Sequence, residues 1–338
     1  MIQNGEKQGD TAVVVRLGHL GDVVLATGVL DWWKRTRNLS FVFITRPGNA
    51  DVLEEHPAVK EVVEVEPSGM SLRAWIAQCN QLSRHFHGQP LIDLHGVLRT
   101  RVLAQCWRGR VFRYPKKGIL RRLYGTTRMR LFARALEQTN VPQRYAMALD
   151  KVPPGRIELL PKIHLNDGDR YAALGALKNI DGTPLVALHP YATHPAKQWP
   201  AEYWEELASQ LDLAGINWVC IGRNDVPLFS ETPRDLTNTT GLRQTCAVLE
   251  RADVLVTNDS GPMHLAAAVR TPVVALFGPT APAWGFYPAG RNDMVLERPL
   301  KCRPCSLHGK RGCTNGLECL ASITPHEAMV AIQNILTA

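Results

Sequence analysis

The chain has 338 residues, 45% hydrophobic and 21% charged, with 8 cysteines and a formal net charge of +8. That length exceeds one comfortable core and suggests two domains. No apolar run approaches the roughly 18 residues of a membrane span, which excludes a membrane-spanning reading. The opening MIQNGEKQGD lacks the basic start and apolar middle of a signal peptide, so a cytoplasmic protein with mostly reduced thiols is expected.

In chain order, TAVVVR reads as a short buried strand, and RLGHLGDVV (16–24) turns from it into a helix through Thr36. The glycines of this turn are spaced as Gly18-x-x-Gly21, not as G-x-G-x-x-G. The next strand, FVFIT (41–45), ends in Thr45-Arg46 rather than in an acid for an NAD ribose. Hydride transfer on NAD is therefore a poor reading. What remains is Asp22, a carboxylate on a tight glycine turn at the rim of the first sheet. It either caps the following helix or serves as a general base. VKEVVEV (59–65), the helical SLRAWIAQCNQLSRHF and the strand PLIDLH (90–95) continue an alternation that implies a parallel sheet.

From Arg99 to Arg134 there are twelve Lys or Arg and no Asp or Glu. A local block of this kind is either a solvated helix face or a site for an anionic partner, whether nucleic acid, phosphorylated substrate or anionic membrane. Its aromatics, Trp107, Phe112, Tyr114, Tyr124 and Phe132, are irregularly spaced and belong to no nucleic-acid reader module.

Pro153, Pro154 and Pro161 interrupt the pattern, which then restarts. TPLVALHP (183–190), NWVCIG, DVLVTND and PVVALFG read as strands. PAEYWEELASQLDLAG, GLRQTCAVLERA and PMHLAAAVR read as helices, the first bracketed by Pro200 and Gly215. Two Rossmann-like domains in tandem are expected, 1–165 and 166–338, with ligands beyond the carboxyl ends of the strands. In TNDSGPMHLAAAV (257–269), the Ser260-Gly261-Pro262 turn places backbone N–H groups, though none from Pro262 itself, at a helix start. That suits a diphosphate, although Asp259 or Ser260 as N-cap explains the same residues. His264 lies in the first turn. In LHPYATHPAKQWPAEYW (188–204), Thr193 and Lys197 occupy the loop, and a lysine there would neutralise charge growing on a leaving diphosphate.

Near the end, Cys302, Cys305, Cys313 and Cys319 cluster in sequence, with the two-residue spacing of a metal knuckle at Cys-Arg-Pro-Cys. A structural metal, with His308 as an alternative ligand, a disulfide pair and free thiols all stay open.

Taken together, RLGHLGDVVLATGVL, LIDLHGVLRT, LHPYATHPAKQWP and above all TNDSGPMHLAAAVRTPVVALFGPTAP resemble glycosyltransferase family 9, the bacterial lipopolysaccharide heptosyltransferases. CRPCSLHGKRGC…C is similar to the heptosyltransferase II branch. The resemblance implies the α/β GT-B fold, two Rossmann-like domains with parallel sheets facing a central cleft. It implies inverting transfer of heptose from ADP-heptose to the lipopolysaccharide inner core, with no metal or cofactor required for catalysis. Asp22 matches the general base, and Lys197 is the second catalytic candidate. Thr193, Lys197, Thr240, Asp259, Ser260, Gly261 and His264 match donor-binding positions. Asn224 or Asp225 stands where an acid often holds the ribose. Acceptor contacts are expected at Gly21, Arg99, Arg121 and Arg122, on an anionic lipid A/Kdo core at the inner-leaflet membrane surface. His95 replaces a usual glutamine in the middle motif and leaves that contact open. The rival readings are a GT-B enzyme with another nucleotide sugar or glycan acceptor, and a nucleic-acid-binding protein using residues 99–134.

Overall fold

The computed structural model describes residues 10–180, 182–307, 309–310 and 312–338; His308 lies outside them. The chain folds as two compact units. The first comprises Met1–Lys116 and Pro142–Leu159, and the second Lys117–Val141 and Leu160–Ala338.

The first unit is built on β1 (Thr11–Val15), α1 (Leu20–Arg37), β2 (Ser40–Thr45), β3 (Val59–Glu64), α2 (Leu72–His85), β4 (Leu91–Asp93), α3 (Leu98–Cys106) and β5 (Val111–Arg113). All strand pairs are parallel, in the order β3-β2-β1-β4-β5. The β-branched run of β1 is buried from Ala12 to Val15, as a central parallel strand covered on both faces must be. Helix α1 ends where Asn38 takes a left-handed conformation and donates its N–H to the Lys34 carbonyl. Trp33 on α1 is fully buried and donates to Asp150 Oδ2 at 3.0 Å. This bond helps return the chain after residue 141 to the first unit.

The second unit opens with α4 (Gly118–Thr127) and α5 (Arg130–Glu137). The chain then passes through α6 (Val141–Ala146), almost all of it in the first unit, before re-entering at Leu160. There follow α7 (Asp167–Ala176), β6 (Leu185–His189), α8 (Ala201–Leu213), β7 (Asn217–Cys220), α9 (Leu242–Arg251), β8 (Val254–Asn258), α10 (Gly261–Ala268), β9 (Val273–Phe277), β10 (Met294–Glu297), α11 (Glu318–Ala321) and α12 (Pro325–Leu336). The sheet is again all parallel, in the order β10-β9-β8-β6-β7. Trp199, Trp204, Trp218, Leu320 and Ile332 lie in its core with the inner faces of β6 and β8. Among the described residues, no helix is long and apolar enough to cross a membrane.

The strands read from sequence form within a residue or two of their expected bounds. The division expected at residue 165 is different: the packing separates the units at 159/160, and residues 117–141 belong to the second unit. The cause is apolar. Tyr124 and Leu136 pack with Trp284, Arg121 donates to the Trp284 carbonyl at 3.1 Å, and Val141 N–H reaches the Gly285 carbonyl at 2.9 Å. Trp284→Ala should therefore cost about 3–5 kcal/mol of stability and expose 117–141 to limited proteolysis. Unchanged protease resistance of that segment would contradict this packing.

Candidate active site

Each sheet reverses its strand order at one point, and crevices form at such points beyond the strand ends. In the first sheet the reversal lies between β1 and β4, and in the second between β6 and β8. The loops leaving these four strands carry Asp22, His95, Lys197 and Asp259.

At the end of β1, Arg16 is 7% exposed and its Nη2 lies 2.6 Å from Asp22 Oδ2. The Tyr145 hydroxyl donates to Asp22 Oδ1 at 3.3 Å. Asp22 is not the N-cap of α1; His19 is, with Asp22 in the first turn, where the helix dipole favours a negative charge. The purpose of Gly18 is now visible. A Cβ there would sit 2.9 Å from the Arg16 guanidinium and 3.0 Å from Asp22 Oδ2, so the bare backbone makes room for the ion pair. After β4, buried Asp93 accepts from the His95 and Gly96 N–H groups, both at 2.9 Å, and Lys116 donates to the His95 carbonyl at 3.1 Å. Burial, reinforced by Arg16 and Lys116, pushes the His95 imidazole down to about 3.

In the second unit, Lys197 ends a short turn after β6. Its ammonium lies 2.7 Å from Asp259 Oδ2 and donates to the Asp259 carbonyl at 3.2 Å. Thr280 donates to the same Oδ2 at 2.8 Å. The Lys197 stem runs against Gly309 (φ +79), where a Cβ would come within 2.8 Å of it. Ser260 is the N-cap of α10, yet its hydroxyl caps no N–H of the helix. It donates instead to the Asn258 carbonyl at 3.1 Å and lies 3.2 Å from both Thr257 Oγ1 and His189 Nδ1. The N-terminus of α10 thus begins with backbone N–H groups that Ser260 does not cap, a geometry suited to an anion. Gly261 opens the helix, and His264 is buried in its first turn, its ring centroid 6.5 Å from that of Phe286.

The remaining sequence candidates are more dispersed. Thr193 is exposed in the loop after β6. Asn224 is exposed after β7, where its N–H donates to Asn238 Oδ1 at 3.1 Å and its Nδ2 donates to the Val226 carbonyl. Thr240 is buried, its hydroxyl 2.8 Å from that of Thr245 at the start of α9. Gly21 accompanies Asp22 in the first turn of α1. The basic block does not belong to one unit: six of its cations, through Lys116, fall in the first and six, from Lys117 onward, in the second. Arg99 is half-buried and donates to the Met70 carbonyl at 2.8 Å. Arg121 is engaged with Trp284 and lies over the Phe286 ring, while Arg122 is exposed. Among the described residues, no group of three or more His, Cys, Asp or Glu is placed to hold a metal. Cys305 donates weakly towards the Pro279 carbonyl, Cys319 is buried, Cys302 is half-buried and Cys313 is exposed.

Sequence reasoning missed Arg16, Tyr145, Thr280 and His189. Arg16 lies six residues before Asp22, a spacing that only the turn makes meaningful; the other three approach from distant parts of the chain. His189 is held down at about 3 by burial. At both His95 and His189 the folded protein refuses a proton that the unfolded chain accepts near pH 6.5. Their contribution to stability is full above about pH 6.5 and falls away as pH drops towards 3. Assigned ring resonances of His95 and His189 should show no titration between about pH 8 and pH 5; a midpoint near 6.5 for either would contradict their burial.

Both the sequence and the fold are similar to those of known proteins. The glycosyltransferase family 9 (heptosyltransferase) model matches residues 123–314. Lipopolysaccharide heptosyltransferase 2 of Salmonella typhimurium strain LT2 is 34% identical over 137 residues, a match spanning 37% of this chain and only 39% of that protein. Lipopolysaccharide heptosyltransferase 1 of Pseudomonas aeruginosa PAO1 is 28% identical over 333 residues, covering 89% of this chain and 87% of that one. In fold, the chain resembles the solved E. coli ADP-heptose lipopolysaccharide heptosyltransferase II, with a TM-score of 0.71 at 20% identity over 97% and 98% of the two chains. Two parallel α/β units with candidate residues at both strand-order reversals, a family model over more than half of the length and relatives that are themselves heptosyltransferases converge: the chain belongs to glycosyltransferase family 9.

Proposed function

We propose that this glycosyltransferase moves a heptose from ADP-heptose to an anionic acceptor of the lipopolysaccharide inner core, inverting the anomeric configuration. The donor goes to the second unit and the acceptor to the first. The observation that carries the reading is the Lys197 ammonium, pinned by Asp259 beside the N-terminus of α10 at the β6/β8 reversal. A diphosphate on the N–H groups of Gly261, Met263 and His264 (Pro262 has none) would share that ammonium, and Asp259 would hold the lysine rather than touch the phosphate, because two anions side by side repel. Thr193, Thr240, Ser260 and His264 complete the donor site, with Asn224 at the ribose. The bond from the anomeric carbon to the diphosphate oxygen breaks and its electron pair leaves with ADP. The acceptor hydroxyl forms the new bond on the opposite face, and its proton passes to Asp22.

The half-buried Arg99, in the first unit, is the acceptor cation favoured here; Arg121 and Arg122 belong to the second unit, where Arg121 serves the packing on Trp284. An acceptor embedded in the cytoplasmic leaflet would also bring the basic residues to an anionic surface. The irregularly spaced aromatics of the basic block, which belong to no reader module, weigh against the nucleic-acid alternative. Calorimetry with ADP, UDP and GDP tests the donor assignment. ADP should bind and compete with the nucleotide sugar, and Lys197→Met should weaken it. Preference for UDP or GDP would replace the donor.

A further inference from the structure

We infer that Arg16 and Tyr145 are positioning residues for Asp22, holding its carboxylate by both oxygens so that it meets the acceptor hydroxyl ionised and in one orientation. The inference rests on Asp22 being the base. Its grounds are geometric. Arg16 Nη2 holds Oδ2 at 2.6 Å and the Tyr145 hydroxyl holds Oδ1 at 3.3 Å. Both partners are themselves fixed. Arg16 is buried, with its guanidinium carbon 5.7 Å from the centre of the Tyr145 ring. Tyr145 is 1% exposed and makes an edge-to-face contact with Tyr114 at 5.1 Å. The two partners come from the end of β1 and from α6, so two separate elements converge on a carboxylate carried by the first turn of α1. Gly18 keeps the space between Arg16 and Asp22 open.

Burial alone would push the Arg16 guanidinium down, but Tyr145 and Asp22 beside it raise it above its ordinary value. The cation is therefore permanent, and a permanent cation at hydrogen-bond distance keeps a carboxylate ionised. The surrounding charge also includes Lys116 and, further off, Arg46, both of which act on His95, while His95 itself stays neutral. Tyr114 approaches from beyond β5. A carboxylate so held is a modest base, but it needs neither deprotonation nor reorientation before it accepts a proton, which is what preorganisation supplies.

The test is the pH dependence of kcat/KM, which reports the ionisation of the free enzyme, measured with melting temperatures for the full-length wild type and variants. Arg16→Gln removes the cation, so Asp22 becomes harder to ionise and the acid limb should move up by about 1–2 pH units. Arg16→Lys keeps a cation there and should reverse most of that movement. Tyr145→Phe keeps the ring and should lower kcat more than it changes either substrate KM, with a smaller upward movement of the limb. Loss of activity in Arg16→Gln and Tyr145→Phe with an unmoved acid limb would overturn the inference. If Arg16→Gln fails to fold, Tyr145→Phe carries the test: an acid limb at the wild-type position in a folded Tyr145→Phe protein overturns it. Failure of the underlying reading looks different, because Asp22→Asn would then remain active.

Discussion

Replacing Asp22 with Asn should lower kcat by about 10²–10⁴-fold, the range that positioned proton transfer contributes, while ADP affinity stays within about twofold of wild type. The substitution is nearly isosteric, so the turn around Gly18 and Gly21 keeps its packing. An amide oxygen can still accept from Arg16, but it no longer offers a charge to the buried guanidinium at 2.6 Å. Some loss of thermal stability is therefore expected, since a buried cation without its anion is costly. Turnover must be measured well below the variant's melting temperature. A folded Asp22→Asn protein with most of its turnover intact would remove Asp22 from the chemistry. Unchanged ADP binding is part of the expected result, because the nucleotide is assigned to the other unit.

The second large effect is expected at Lys197. Lys197→Met keeps the aliphatic stem that packs on Gly309 and deletes only the ammonium. Removing one such donor from a site where charge develops costs about 10²–10³ in kcat, and ADP binding should weaken with it. The single variant also strips Asp259 of its ion pair, leaving a carboxylate that is 8% exposed with Thr280 as its remaining side-chain donor shown in the structure. A fall in melting temperature would follow from that alone. Combining Lys197→Met with Asp259→Asn separates the two causes, because the double variant no longer buries an unbalanced charge. Stability should recover in the double variant and turnover should not. Recovery of both would make Lys197 a structural partner of Asp259 and nothing more.

The contrast between these two sites explains how much the sequence disclosed. The strands were legible because TAVVV, FVFIT, LVALH and VVALF are short, mostly apolar runs, the last two bounded directly by proline or glycine, and a doubly covered parallel strand needs such a run. The helix from Pro200 to Gly215 was legible from its ends. Strand order was not legible, since nothing local in β1 or β4 says that they are neighbours; yet that order makes the loops carrying Asp22 and His95, and those carrying Lys197 and Asp259, meet at the reversals. The choice between cap and base at Asp22 could not be made locally either. Part of the answer lies in Tyr145, 123 residues away. Ser260 shows the reverse case. Its sequence position suggested a cap, and it is the N-cap by backbone conformation, but its hydroxyl is drawn towards Thr257 and His189. Residues 117–141 were misplaced because their basic character hid the apolar seam of Tyr124 and Leu136 that Trp284 covers.

The central claim is inverting heptosyl transfer, and one measurement addresses it directly. The purified protein is incubated with ADP-heptose and a set of truncated inner-core acceptors, and the product is analysed by mass and by the NMR coupling of its new anomeric proton. One heptose added to an acceptor, one ADP released per transfer and an anomeric configuration opposite to that of the donor are the expected result. Retention of configuration, or release of ADP without any glycosylated acceptor across the set, would contradict it.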